Sequence, residues 1–264
     1  MQRAKRFVRF GMLKWAGPVL VLSAALSQPA RLAGQGRFGG QGRPAEPPAA
    51  PTLPHPSPAS TPAPQEKPKP RLFRAQDLGL LEAPDRAEWQ KPDRIMDALK
   101  IADGARVADL GASGGWFTIR LAHRVGPNGF VYAEDIQPAM IEAIKRRLQT
   151  ERLTNVQPVL GTSTDPRLPA DRLDAALIIE SYGEMDDPIA LLKSVERSLK
   201  PSGCLGVVDF TSGASGPGPD PEERIDPKAV IKSAAAAGLI LSKHEPLLPF
   251  QFLLVFGKTS SACR

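Results

Sequence analysis

The 264-residue chain has only two cysteines, three histidines and two tyrosines, and its first acidic residue is Glu46. Each shortage narrows what the protein can be. Cys204 sits in an apolar, strand-like run and Cys263 in a polar tail, so the pair is not expected to form an intramolecular disulfide, even in an oxidising compartment. His55, His123 and His244 fall at no spacing that suits a metal ion, and no metal site is expected. The acid-free start carries eight Lys and Arg; setting them aside from the formal +6 leaves about −2 for the remainder. The basic balance therefore does not describe the part that folds, and no nucleic-acid-binding face is expected.

What the first residues do contain is an apolar run, 16–26, too short to span a bilayer without its charged flanks. Basic residues precede it and small ones follow, with Ala25 and Ser27 suitably placed before a cut. Residues 1–27 read as a secretory signal peptide or as an uncleaved, loosely membrane-associated segment. Residues 28–71 are rich in glycine and then in proline, with almost no large apolar side chains to offset the entropy of ordering, and read as a disordered tether. A motif for a proline-recognising partner is the other reading of that stretch. The folded unit is expected over 72–264. The layout implies an exported or membrane-associated protein, with a cytoplasmic one as the alternative.

The stretch that organises the folded unit is Val107-Ala108-Asp109-Leu110-Gly111-Ala112-Ser113-Gly114-Gly115. An apolar run that breaks into glycines before an amphipathic segment predicts a buried strand, a tight turn and the first turn of a helix. Glycines there let a ligand approach the backbone and leave amide groups free to bind it. A dinucleotide site wants glycines at the first, third and sixth positions, but counting from Gly111 gives Ser113 and Trp116. With an acid one step before the first glycine and Gly115 closing the loop, the stretch instead resembles the first motif of class I S-adenosylmethionine-dependent methyltransferases. Ser113 departs from the glycine usual there. It adds the least bulk that keeps a hydroxyl but narrows the backbone angles.

Before this stretch, Ile95, Met96 and Leu99 predict a helix over 88–101, and residues 81–89 form either a lid or a cap that buries Trp89. After it, Phe117, Leu121 and Val125 share a helical face, and 130–135 reads as a second strand ending in acid. Asp135 stands where a nucleoside site needs a carboxylate for two ribose hydroxyls, and it also suits the start of the following helix. Glu134 is the rival, expected to turn away by strand alternation. A third strand over 156–160 leads into a loop whose Asp165 either accepts from the adenine amino group, as the resemblance suggests, or caps a turn. A continuous apolar strand over 173–179 then delivers residues 180–184 to the same crevice.

Asp187 and Pro188 start a helix that turns Leu192, Val195 and Leu199 inward, and 200–203 reads as its terminating turn. A fifth strand over 204–210, a helix from Asp226-Pro227 to Gly238 and a hairpin of 239–241 with 250–256 complete the chain. The order resembles the same family over 86–257. It implies an α/β, Rossmann-like, seven-stranded and mostly parallel sheet with an antiparallel last strand and helices on both faces.

The resemblance further implies S-adenosylmethionine as cofactor, with its sulfonium above 111–115. It implies cofactor-binding roles for Asp109, Gly111, Ser113, Gly115, Asp135, Ile136 and Asp165. Methyl transfer is an in-line displacement, so positioning and exclusion of water suffice unless the acceptor must shed a proton. At the right strand end, Glu180 is read as orienting the methionine or taking a proton, Tyr182 as a wall of the acceptor pocket, and Glu184 as a base. Their structural alternatives are a solvated acid, a packed aromatic and an acid at a helix approach. The histidine that relatives often carry near Gly183 is absent. The reading is a methyltransferase of a small or lipid-like acceptor; the alternatives are a donor-binding domain without turnover and an NAD-dependent oxidoreductase.

Overall fold

Residues 72–213 and 216–263 are described in the computed structural model, so the expected signal peptide and tether lie outside the described residues. Within them, hydrophobicity decides where each strand lies. β1 (Arg106–Leu110), buried at every position after Arg106, and β4 (Leu173–Ile179), apolar at every position but Asp174, take central places. β2 (Phe130–Asp135) and β3 (Val156–Leu160) extend one flank, and β5 (Leu199–Phe210), β6 (Ile240–Glu245) and β7 (Gln251–Gly257) the other. The order is β3-β2-β1-β4-β5-β7-β6, and β7 alone runs antiparallel to its neighbours, β5 and β6. The chain leaves β1 toward β2 and returns on the far side to β4. This reversal opens a crevice at the carboxyl ends of the central strands, where ligands of such sheets bind.

Two apolar layers hold the helices to the sheet. On one face, Phe117, Leu121 and Val125 of α3 (Trp116–Val125) pack with Val107 and Val131. Burying each such side chain contributes roughly 1.5–3 kcal/mol, which fixes a ten-residue helix too short to be stable alone. Ile141, Ile144 and Leu148 of α4 (Pro138–Glu151) close over Ala112 and Ala133. On the other face, Leu192 and Val195 of α5 (Pro188–Ser198) and Val230 and Ala234 of α6 (Pro227–Ala236) cover Ala108, Leu110 and Ile178.

Three expectations are corrected. The helix over 88–101 is two, α1 (Arg86–Gln90) and α2 (Pro92–Ala98), because a residue before proline is driven out of the helical region; Lys91 takes a left-handed φ of 50°. The turn over 200–203 is extended chain at the start of β5, with a register irregularity against β4 between Leu173 and Ala175. Cys204 and Cys263 are disulfide-bonded, with Cα atoms 5.7 Å apart. The tail after β7 doubles back through a turn from Thr259 to Ala262 and buries Cys263, which its polar neighbours in sequence do not foretell.

Candidate active site

A turn that must bring backbone close to a ligand needs left-handed residues, and the one after β1 has three: Gly111 (φ 68°), Ser113 (φ 51°) and Gly115 (φ 80°). A Cβ on Gly111 would fall 2.6 Å from Ser181 Oγ. Ser113 is held in its uncommon conformation by the Asp135 carboxylate, which accepts from Ser113 N at 3.0 Å and from Gln137 N at 2.9 Å. Beneath the turn, buried Asp109 accepts from Thr118 Oγ1 at 2.6 Å and ties β1 to α3. Burial pushes its carboxyl up to about 6.

The turn forms one wall of a cavity of about 760 Å³, within the range of small-molecule sites. Asp109, Gly111, Ser113, Asp135 and Ile136 line it, as does Gly114. Gly115 stands behind, at the start of α3. Asp165 lies outside: it is exposed and accepts from Arg167 N at 2.8 Å, the turn-capping geometry, while Thr162 and Ser163 of the same loop face the cavity.

Glu134 departs from the alternation argument. It lines the cavity together with Asp135, because the crevice wraps around the tip of β2 and a glutamate is long enough to reach it from the opposite face. Gly161 leaves room for it, since a Cβ there would overlap Glu134 Oε1. Glu134 is 3% exposed, and among the described residues no donor reaches Oε1; Oε2 lies 3.5 Å from Gly111 N. Burial, and then the Asp135 carboxylate, push its pKa up to about 8.

The carboxyl end of β4 presents Glu180 in a left-handed conformation (φ 58°). It is neither solvated nor free. Arg86 donates to Oε2 at 2.9 Å, while Gln90 and Gln251 both donate to Oε1 at 2.6 Å. Arg86 also donates to Leu81 O and Gln90 Oε1, so the N-terminal cap is fastened to the sheet through this acid. Glu184 lines the cavity and accepts from Phe73 N at 3.0 Å. Burial raises the pKa of both acids. Tyr182 does not wall the cavity: it is 6% exposed and lies in the apolar layer with Val230 and Ala234 of α6. The 81–89 segment lines the cavity, and Trp89 is half-buried there, its ring 5.9 Å from that of Phe210.

Sequence reasoning passed over Arg86, Gln90, Gln251 and Asp209. Asp209, near the carboxyl end of β5, is 6% exposed and lines the cavity; its Oδ1 accepts from Phe210 N at 2.8 Å. Burial, with Glu180 and Glu184 adding to it, pushes its carboxyl up to about 7. An acid closing an apolar strand was the signal available, the one that marked Asp135.

Residues 107–203 match the family model described as a methyltransferase domain. Over 131 residues, half of this chain, the protein is 30% identical to nocamycin O-methyltransferase of Saccharothrix syringae, covering 44% of that protein. Over another 131-residue alignment it is 26% identical to demethylmenaquinone methyltransferase of Listeria welshimeri, covering half of this chain and 54% of that one. The chain thus spans about half the length of the curated relatives it matches. Among solved structures, a SAM-dependent methyltransferase from Aquifex aeolicus superposes with a TM-score of 0.68 at 24% identity, covering 71% of this chain and all of that one. The fold is therefore the Rossmann-like one of these methyltransferases.

Proposed function

We propose that this chain, whose residues 107–203 match a methyltransferase domain, transfers a methyl group from S-adenosylmethionine to a small or lipid-like acceptor. The observation that carries the reading is the charge of the cavity beside the glycine turn. Nine of its lining side chains are acidic, of which Glu134 holds its proton near neutrality, and one, Arg86, is basic. Such a wall attracts a ligand bearing a sulfonium and an ammonium, and it repels the pyrophosphate of a dinucleotide.

The residues present fit the donor. Glu134 Oε1 is a buried acceptor in want of a donor, and a ribose hydroxyl supplies one. Asp135 keeps lone pairs beyond those used on Ser113 and Gln137, and so shares the ribose. Ile136, 36% exposed at the rim, packs on the adenine, and Thr162 and Ser163 take the polar edge that Asp165 does not reach. Gly111 and Ser113 bring the backbone close, and Asp109 stands below them to face positive charge. Glu180, anchored by Arg86, orients the methionine portion from the opposite wall. When bound, the donor supplies an electrophilic methyl carbon on a positively charged sulfur. The leucines, tryptophans and prolines of the cavity exclude water and accept an apolar body.

Calorimetric titration of the full chain with S-adenosylmethionine, S-adenosylhomocysteine and NAD tests this reading: the first two should bind and NAD should not. Binding of NAD alone would return the oxidoreductase reading. Donor binding without product release, across acceptors, would leave a domain without turnover. For location, we propose an oxidising compartment, supported by the signal-like 16–26 run and by the Cys204–Cys263 disulfide. Sequencing the mature N-terminus of protein from its own cells tests it.

A further inference from the structure

The methyl donor accounts for the side of the cavity formed by β1, β2 and the glycine turn. It does not account for Asp209. This side chain is 94% removed from solvent by its 6% exposure, lines the cavity, and uses only Oδ1, on its neighbour's amide. Among the described residues, no donor reaches Oδ2 within hydrogen-bond distance. Of the acids nearby, Glu180 is committed on both oxygens to Arg86, Gln90 and Gln251, and Glu184 gives one oxygen to Phe73 N. The same cavity is lined by Trp89 and Phe210, whose rings meet at a tilt, and by Pro217 and Pro219. Asp209 Oδ2 is not one of the fully buried atoms, so it opens on the cavity, where a carboxylate oxygen with no protein donor is free to take a hydrogen from a bound ligand.

Resting on the methyltransferase reading, we propose that Asp209 is the proton acceptor of the methyl-acceptor subsite, and that the acceptor is an aromatic molecule with a protic hydroxyl or amine. The ring lies against Trp89, Phe210 and the two prolines, and its O–H or N–H points at Asp209 Oδ2. As the heteroatom bonds to the methyl carbon, the carbon–sulfur bond breaks and its electron pair returns to sulfur. The proton carried by the heteroatom passes to Asp209. The groups that set the charge of Asp209 are Glu180 at the end of β4, Glu184 in the turn after it, and Arg86 of α1, which neutralises Glu180; Arg224 stands 5.5 Å over the Phe210 ring. Burial first, and then Glu180 and Glu184, push the Asp209 carboxyl up to about 7, so that it gains or loses a proton near neutrality.

The test uses the full chain saturated with S-adenosylhomocysteine, and two compounds of nearly one shape, 2-naphthol and 2-fluoronaphthalene, of which only the first can donate. At pH 8, wild type should bind 2-naphthol at least about tenfold more tightly, the worth of a hydrogen bond to a charged acceptor. That preference should shrink as pH falls through about 7 and the carboxylate takes its own proton. Asp209→Asn should lose most of the preference and its pH dependence, while its affinity for S-adenosylhomocysteine stays within about threefold, which also certifies its fold. No preference in wild type, a preference insensitive to pH, or one that survives in Asp209→Asn overturns the assignment of Asp209 while leaving the methyltransferase reading standing. Failure of wild type to bind S-adenosylhomocysteine at all overturns both.

Discussion

Replacing Glu134 with glutamine should make the protein more stable at high pH and change it little at low pH. The side chain is 3% exposed with an unpartnered Oε1, and burial beside Asp135 pushes its carboxyl from 4.5 up to about 8. The folded chain therefore holds this proton more tightly than the unfolded chain does. The contribution to stability is full below pH 4.5, declines as pH rises toward about 8, and is level beyond it. At about 1.4 kcal/mol per unit, and with the cost shared with Asp135 and Asp109, the ionised side chain destabilises the fold by on the order of 2–4 kcal/mol. Glutamine keeps the shape and an oxygen for Gly111 N but cannot ionise. Urea unfolding midpoints at pH 5, 7 and 9 should coincide for the two proteins at pH 5 and separate in favour of Glu134→Gln at pH 9. Asp209, which does not couple to Glu134, slopes the same way in both proteins and cancels in the comparison. Parallel curves across the range would refute the claim that this buried acid is carried at a cost.

Asp135→Ala should weaken S-adenosylhomocysteine binding at least about tenfold and cost about 1–3 kcal/mol of stability, since the amides of Ser113 and Gln137 lose their acceptor; unchanged affinity in calorimetry counts against the ribose assignment. Gly111→Val should abolish donor binding, because its Cβ meets Ser181 Oγ at 2.6 Å and its φ of 68° is strained for a β-branched residue. A valine variant that binds normally would mean that the turn does not face the donor. Cys263→Ser removes a link closing 59 residues and should lower unfolding stability by about 4 kcal/mol on a loop-closure argument. Reductant should destabilise wild type by a like amount and leave the variant alone; equal responses would show that the link does not form in solution.

What the sequence made legible were features with a period or a punctuation mark. Leu173–Ile179 lies where its apolar run places it, and the side chains of Asp187 and Asp226 accept amides in the first turns of α5 and α6, each followed by proline. The glycine turn was legible for the same reason: three left-handed residues in five leave few sequences that comply. Once β1 and β2 were assigned, the parallel sheet put Asp135 beside the turn, at the register that aligns Leu110 with Glu134.

The polar interior was not legible, because its order comes from partners distant in sequence. Arg86 and Glu180 stand 94 residues apart, and Gln90 and Gln251 161 apart, so no local pattern announces that they share one cluster. Glu180 looks like a free acid at a strand end until those donors are seen, and a committed carboxylate is a poor base. That commitment redirects the search for a proton acceptor away from residues 180–184 and toward β5. Tyr182 turns into the layer over α6 and Glu184 holds Phe73 N with one oxygen, while Asp209 keeps Oδ2 without a described donor beside Phe210. A base assigned by position in the chain would have been Glu184; a base assigned by its place at the end of β5, next to the aromatic part of the cavity wall, is Asp209. The two assignments make opposite forecasts for Glu184→Gln, which on the second should leave the naphthol preference and its pH dependence in place.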